Sequence, residues 1–422
     1  MSRENTRFFA LAAISSLALS VHAAAADDLG ARAKKPANPT EAIETSRALR
    51  RAGRVNEAIF AVQKALESAR GNEPVASLFL ELARGRIDQN KQKLAMIACG
   101  QIHKLSPFDE QLCTAEAQLL SRRGSIALPA AEQALALSPG DYDATVAKGR
   151  ALAELGKPQE AATVFSDAAS SKPDRSEAPR YLGQLLVAQG KKADAIVALR
   201  KALAASPDDP EVLVLLGETL DPGKEAQGDL EHALTIRPTF ARARARLGEV
   251  LLAAGDLDGA DQALKAALAI EPRQADWHAL LGSVELAKNQ PDLALESARD
   301  ALKIVGNHGP AKWVEAKALA AKGEIDLAVE SFQAAYGLMR TDPAPLIDAA
   351  HACAKAGRLT TAKAFADRAT DDFPKSAAAW EAVGDVDVAL KDKAGAVSAY
   401  QKALAGDSTA DKAAIRRKLA AP

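Results

Sequence analysis

The stretch Tyr142–Asp209 contains one pattern written twice. In the first copy Gly149 is followed by Leu152, Gly156, Ala161, Phe165, Ala168 and Pro173; in the second, Gly183 is followed by Leu186, Gly190, Ala195, Leu199, Ala202 and Pro207. Matched residues are offset by about 34 positions, the period of a helix–turn–helix array. Within each copy the apolar residues recur at helical intervals in two runs, and Gly156 or Gly190 separates the runs. A single hairpin of this kind cannot bury its apolar face, but a stack of them can. The feature therefore points to an all-α chain of stacked antiparallel helix pairs.

The same spacing can be followed in both directions. Gly53, Ala58 and Ala65 set a first unit, and a degenerate second unit over 74–107 ends at Pro107. The third, 108–141, carries Ala127, Ala134 and Pro139, with Gly124 as a late turn glycine and Pro129 inside the expected second helix. Proline is tolerated only in a helix's first turn, so this helix is expected to start late or to be distorted. The sixth unit, 210–240, is short and interrupted by Asp221, Pro222 and Gly223, whereas 241–274 is regular again. Later units are marked by Ala294 and Ala301, by Gly323 and Phe332, by Gly357 and Pro374, and by Gly384 and Tyr400. Hydrophobic residues make up 48% of the chain but aromatics only 4%, so the core must be built from Ala and Leu, which lets helices approach closely. A glycine inside a helix costs about 1 kcal/mol against alanine. Its recurrence at Gly149, Gly183 and Gly248 therefore implies a packing use.

The ends read differently. Arg3 and Arg7 precede an apolar run from Phe8 to Val21, then Ala23 to Ala26 and two aspartates. That is the order of a secretory signal peptide, expected over 1–26 and cleaved after Ala23, Ala25 or Ala26; the alternative is an uncleaved anchor. The run is shorter than the roughly 20 residues a spanning helix needs, and no cysteine lies nearby for lipid attachment. The mature chain is expected to be a soluble, exported, periplasmic protein. Residues 27–38 read as a flexible linker, 39–410 as about eleven repeats, and 411–422 as a capping helix and tail, with Lys412 to Leu419 covering the last apolar face.

Several units resemble the tetratricopeptide repeat (TPR) family, whose pattern places a bulky residue early in the first helix, then Leu-Gly, and later Ala, an aromatic, Ala and Pro. Trp380, Gly384, Ala396, Tyr400 and Ala403 match most of it in one unit, and Ala161, Phe165, Ala168 and Pro173 match the second half in another. The resemblance covers about 39–410 and departs from the pattern in the second, third and sixth units. It implies a right-handed superhelical solenoid whose concave face, lined by the first helix of each pair, binds peptides or proteins. Some members grip a peptide's terminal carboxylate with a Lys/Asn pair on successive first helices, and that pair is not found here.

No catalytic constellation accompanies the repeats. The six histidines are scattered without metal-ligand spacing, and no phosphate loop or nucleophile motif occurs. The expectation is a non-enzyme with no metal and no cofactor. Lys and Arg total 54 against 55 Asp and Glu, which argues against a nucleic-acid binder. If first helices line a groove, its candidates are Arg150, Arg180, Gln184, Glu218, Arg242, Arg246, Glu249, Trp313, Lys317 and His351. Arg242 and Arg246 share a helix face. With Arg150 and Arg180 they form either a positive stretch for a carboxylate, acidic peptide or anionic glycan, or a solvated face paired with Glu249 and its neighbours. Trp313 is a packing residue or a groove platform, and Trp277 and Trp380 read as core. Cys99 and Cys113 fall on neighbouring helices, as two buried thiols or as a disulfide in an oxidising compartment; Cys353 reads as core. The functional expectation is a scaffold or assembly factor of the bacterial envelope. The alternative is a glycan-binding module of an exopolysaccharide export system, taking an acidic polysaccharide.

Overall fold

The computed structural model describes residues 28–420 except 104, 121 and 409. The expected signal peptide, 1–26, lies outside the described residues. Eleven helix pairs follow one another: α1 (Pro39–Arg51) and α2 (Val55–Ser68), α3 (Asn72–Asp88) and α4 (Gln92–Ile102), α5 (Pro107–Leu119) and α6 (Gly124–Leu137), α7 (Tyr142–Glu154) and α8 (Pro158–Ser171), α9 (Glu177–Ala188) and α10 (Lys192–Ala205), α11 (Pro210–Thr219) and α12 (Lys224–Ile236), α13 (Ala241–Ala253) and α14 (Leu257–Ile270), α15 (Ala275–Ala287) and α16 (Pro291–Ile304), α17 (Gly309–Ala321) and α18 (Ile325–Leu338), α19 (Ala344–Lys355) and α20 (Leu359–Asp372), α21 (Ala377–Ala389) and α22 (Lys393–Ala405). A last helix, α23 (Lys412–Ala420), buries Ile415 against Ala396, Tyr400 and Ala403. Among the described residues there is no strand.

Packing divides the chain into two compact units, one ending at Arg246 and the other starting at Leu247, so the boundary falls inside α13. In each unit a helix packs on its chain neighbours, and the first helix of a pair also touches the first helix of the next. Within each unit the odd-numbered helices in contact therefore stand side by side and form a wall. Where the sequence reads as a flexible linker, helical turns run over 28–34, and Ala33 is buried with Leu49, Ala58 and Ala61.

The interior glycines serve close approach. A Cβ on Gly149 would lie 2.6 Å from the Phe165 ring, and one on Gly183 would lie 2.6 Å from Leu199 Cγ. The turn between paired helices passes through a left-handed residue, Gly156 at φ 71° and Gly190 at φ 71° among them. Asn90, Arg122, Asn289 and Lys391 take the same conformation where glycine is missing. This corrects the reading of the third unit. Its turn residue is Arg122, and Gly124 is the first residue of α6, pressed against the Ala151 carbonyl, 2.9 Å from where its Cβ would be. Helix α6 neither starts late nor breaks. It runs the same 14 residues as α8 with Pro129 inside it. The short sixth unit loses about a turn from α11, which has 10 residues where α7 has 13, and it has no left-handed glycine, since Gly223 is extended.

Cys99 on α4 and Cys113 on α5 are joined by a disulfide with Cα atoms 5.5 Å apart, an ordinary separation for one. It links the second and third repeats, two of the three that depart from the pattern. Cys353 is a buried free thiol in the core of the second unit.

Candidate partner-binding groove

The odd-numbered helices of the first unit enclose a groove of about 800 Å³ that reaches from Arg47 on α1 to Glu211 on α11 and Arg237 after α12. Its wall is a ladder of charges crossing from one repeat to the next. Arg50 reaches the buried Glu81 at 2.7 Å and Asp88 at 2.6 Å. Arg84 holds Glu116 at 2.7 Å and Asp143 at 2.9 Å. Arg175 returns to Asp143 at 2.7 Å and to Glu177 at 3.1 Å. Arg237 pairs with Glu211 at 2.7 Å, and its Nη2 donates to the Arg51 carbonyl at 2.9 Å, 186 residues away. Burial pushes Glu81 and Asp143 up, but their arginines outweigh it and hold both carboxyls below the usual range.

Helices α7 and α9 interrupt this ladder. The Arg150 guanidinium lies 4.9 Å from the Tyr181 ring centroid and that of Arg180 lies 4.4 Å from it, while Tyr181 stacks on Phe165 at 5.7 Å. Among the described residues neither arginine has an ion-pair partner, and the buried Nε of Arg180 has no hydrogen-bond partner. Burial pushes the Tyr181 phenol up, yet Arg150 and Arg180 hold it below its ordinary value. Beside it a smaller cleft of about 250 Å³ is lined by Ala153, Glu154, Phe165, Gln184 and Leu185, with Arg150 and Tyr181 shared between the two spaces.

Of the residues expected from the sequence, Arg150, Arg180 and Gln184 come together around Tyr181. Arg242 and Arg246 do not join them. Arg242 is paired with Glu218, and Arg246 donates from Nε to the Gly217 carbonyl and from Nη2 to that of Leu220, both at 2.9 Å. Arg246 thus closes the end of the shortened α11, whose last carbonyls lack helical partners. The four arginines therefore do not form one continuous positive stretch: Arg242 and Arg246 are engaged, as in the alternative of a paired face. Glu249, Trp313, Lys317 and His351 belong to the second unit. There the Trp313 Nε1 donates to Asp348 at 2.9 Å and Lys317 stands 4.9 Å over the ring. His351 faces Asp385 at 3.5 Å, and Asp385 also meets Lys418 at 2.7 Å.

Tyr181, Arg47, Arg50, Arg84 and Arg237 are groove residues that the sequence reading did not single out. Arg50 and Arg84 sit in the same register of the first two repeats, a signal obscured by the degenerate second unit. Arg237 comes from an inter-helix loop and no local pattern marks it. Among the described residues no cluster of His, Cys, Asp or Glu is placed to hold a metal, and no helix is long and apolar enough to cross a membrane.

Three family models, all described as tetratricopeptide repeat, match residues 223–284 and 319–385, 115–176 and 280–344, and 180–219. Together they account for more than half of the chain, which belongs to the tetratricopeptide repeat family. No curated protein matches it. Among solved structures it is similar to yeast Tom70 (13% identity over 91% of this chain and 95% of that one, TM-score 0.46). It is also similar to MamA (28% identity, 38% of this chain and 95% of that one, TM-score 0.34). A third is the Pseudomonas aeruginosa protein pilF (22% identity, 49% and 95%, TM-score 0.41).

Proposed function

We propose that this chain is a non-catalytic scaffold of the bacterial cell envelope that binds a protein partner along the groove of its first unit. The observation that carries the reading is the pair Arg150 and Arg180, without an ion-pair partner among the described residues, in a groove where Arg50, Arg84, Arg175 and Arg237 are engaged. Family membership favours a protein or peptide as the occupant over a small substrate. The N-terminal charged, apolar and small-residue order supports export to the periplasm, and a disulfide suits that oxidising compartment.

The test is crosslinking in intact cells with a photoreactive residue in place of Gln184, followed by purification and mass spectrometry. One stoichiometric envelope protein, lost when Tyr181 is changed to Ala, is the expected result. Recovery of sugar polymer alone, or of a partner indifferent to the Tyr181 change, would overturn it. Fractionation checks the compartment: the mature chain is expected in the periplasmic extract, and a cytoplasmic chain starting at Met1 would contradict export.

A further inference from the structure

We infer that the space between Arg150 and Arg180 receives the side-chain carboxylate of a Glu or Asp in an extended partner segment, with an adjacent apolar side chain entering the small cleft beside Tyr181. The inference rests on the reading of this groove as the partner surface and adds the chemistry of what it recognises.

Glu154, four residues beyond Arg150, lines the small cleft with it but forms no ion pair to it, and three further acids are committed elsewhere. Asp209 caps α11 by accepting from the Glu211 N–H at 3.0 Å, Glu211 holds Arg237, and Glu116 holds Arg84. A buried charged donor without a partner is expensive to keep, and the Nε of Arg180 is one. A carboxylate has the planar, two-oxygen geometry that guanidinium groups accept. The apolar requirement comes from Ala153, Phe165 and Leu185, which line the cleft that shares Arg150 and Tyr181 with the main groove. Space continues on both sides of Tyr181, so the segment passes through and does not end there, which commits the carboxylate to a side chain.

The experiment selects a random peptide library on the full mature protein, with each peptide fused through its C terminus so that only side-chain carboxylates are offered. Enrichment of Glu or Asp beside Leu, Ile, Val or Met is expected. Capture should fall about tenfold to a hundredfold in Arg150→Gln or Arg180→Gln, the range for charge-assisted hydrogen bonds. Each variant loses its stacking on Tyr181, so a small fall in melting temperature is expected and capture is compared at a temperature where parent and variants are folded. Enrichment of neutral peptides, capture of acidic peptides by both variants at the parent's level, or no enrichment would each overturn the inference. If neutral peptides are enriched and lost in Tyr181→Ala, the groove reading stands while the carboxylate falls. If capture survives Tyr181→Ala as well, both fall.

Discussion

A methyl group added at Gly183 tests whether helix contact inside a repeat is as close as the glycine pattern demands. In a helix interior, Gly→Ala normally gains about 1 kcal/mol. Here the new Cβ would lie 2.6 Å from Leu199 Cγ and 2.7 Å from Leu199 Cδ2, and Leu199 is fully buried. Ordinary carbon contact is about 3.5–4.0 Å, so α9 and α10 must separate by roughly 1 Å. Overpacking of this kind costs about 1–3 kcal/mol, and we expect a net loss of about 1–2 kcal/mol. Leu199→Ala alone should cost about 2–5 kcal/mol through the cavity it leaves. In the double variant the methyl introduced at position 183 occupies part of that cavity, so the combined loss should fall short of the sum by about 1 kcal/mol or more. Repeat arrays need not unfold in one step, so urea denaturation followed by circular dichroism should be paired with hydrogen exchange across α9 and α10. Gly156→Ala is the control. Its Cβ would meet nothing within 4 Å, and only the left-handed backbone at φ 71° opposes it. Strict additivity of the two Gly183 and Leu199 changes, or a Gly183→Ala protein as stable as the parent, would refute the packing argument.

Three further outcomes are expected. Arg84→Gln, which leaves buried carboxylates without their cation, should destabilise the first unit by about 3–5 kcal/mol, read as a lowered melting temperature. Glu81 and Asp143 have folded-state values held below 4.5 and 3.8, so they add stability that is present above those values and lost as the pH falls through the depressed ones; Arg84→Gln should raise the pH of acid unfolding, and an unmoved acid midpoint would contradict the ladder. Without reductant, thiol titration of the denatured protein should find one free cysteine, Cys353, and breaking the Cys99–Cys113 bond should cost about 3 kcal/mol for its short loop; three free thiols would remove the disulfide. Arg246→Gln should lower stability by about 1–3 kcal/mol, since it uncaps α11, and leave groove capture of peptides unchanged; lost capture with intact stability would return Arg246 to the groove.

The repeat architecture was legible because its causes are local and recur. Glycine at 149 and 183, alanine at 161 and 195, and the left-handed turns at 156 and 190 each act within one hairpin, so their spacing survives in the sequence. Gly124 misled because a glycine can serve a turn or a close contact, and only the nearby Ala151 carbonyl distinguishes the two. Pro129 misled because burial against neighbouring helices retains a helix that local preference alone would break. The groove was half legible. Arg150 and Arg180 stand in clear repeats, but whether an arginine is free or paired depends on carboxylates 24 to 59 residues away, as Arg242 with Glu218 and Arg84 with Asp143 show. The division of the chain inside α13 left no mark, because that unit is among the most regular.

An array of repeats in which each touches only its neighbours behaves like a zipper, free to open from either end. Arg237, which grips Glu211 and donates to the Arg51 carbonyl, changes that rule for the first unit. Loosening the opening hairpin must also release a residue at the end of the sixth, so the usual soft terminus is tied to a distant hairpin. The contact spans 186 residues, and it can form only after the intervening helices have assembled. It is then a late-closing clasp, one that makes the first unit let go as a whole where an open array would peel.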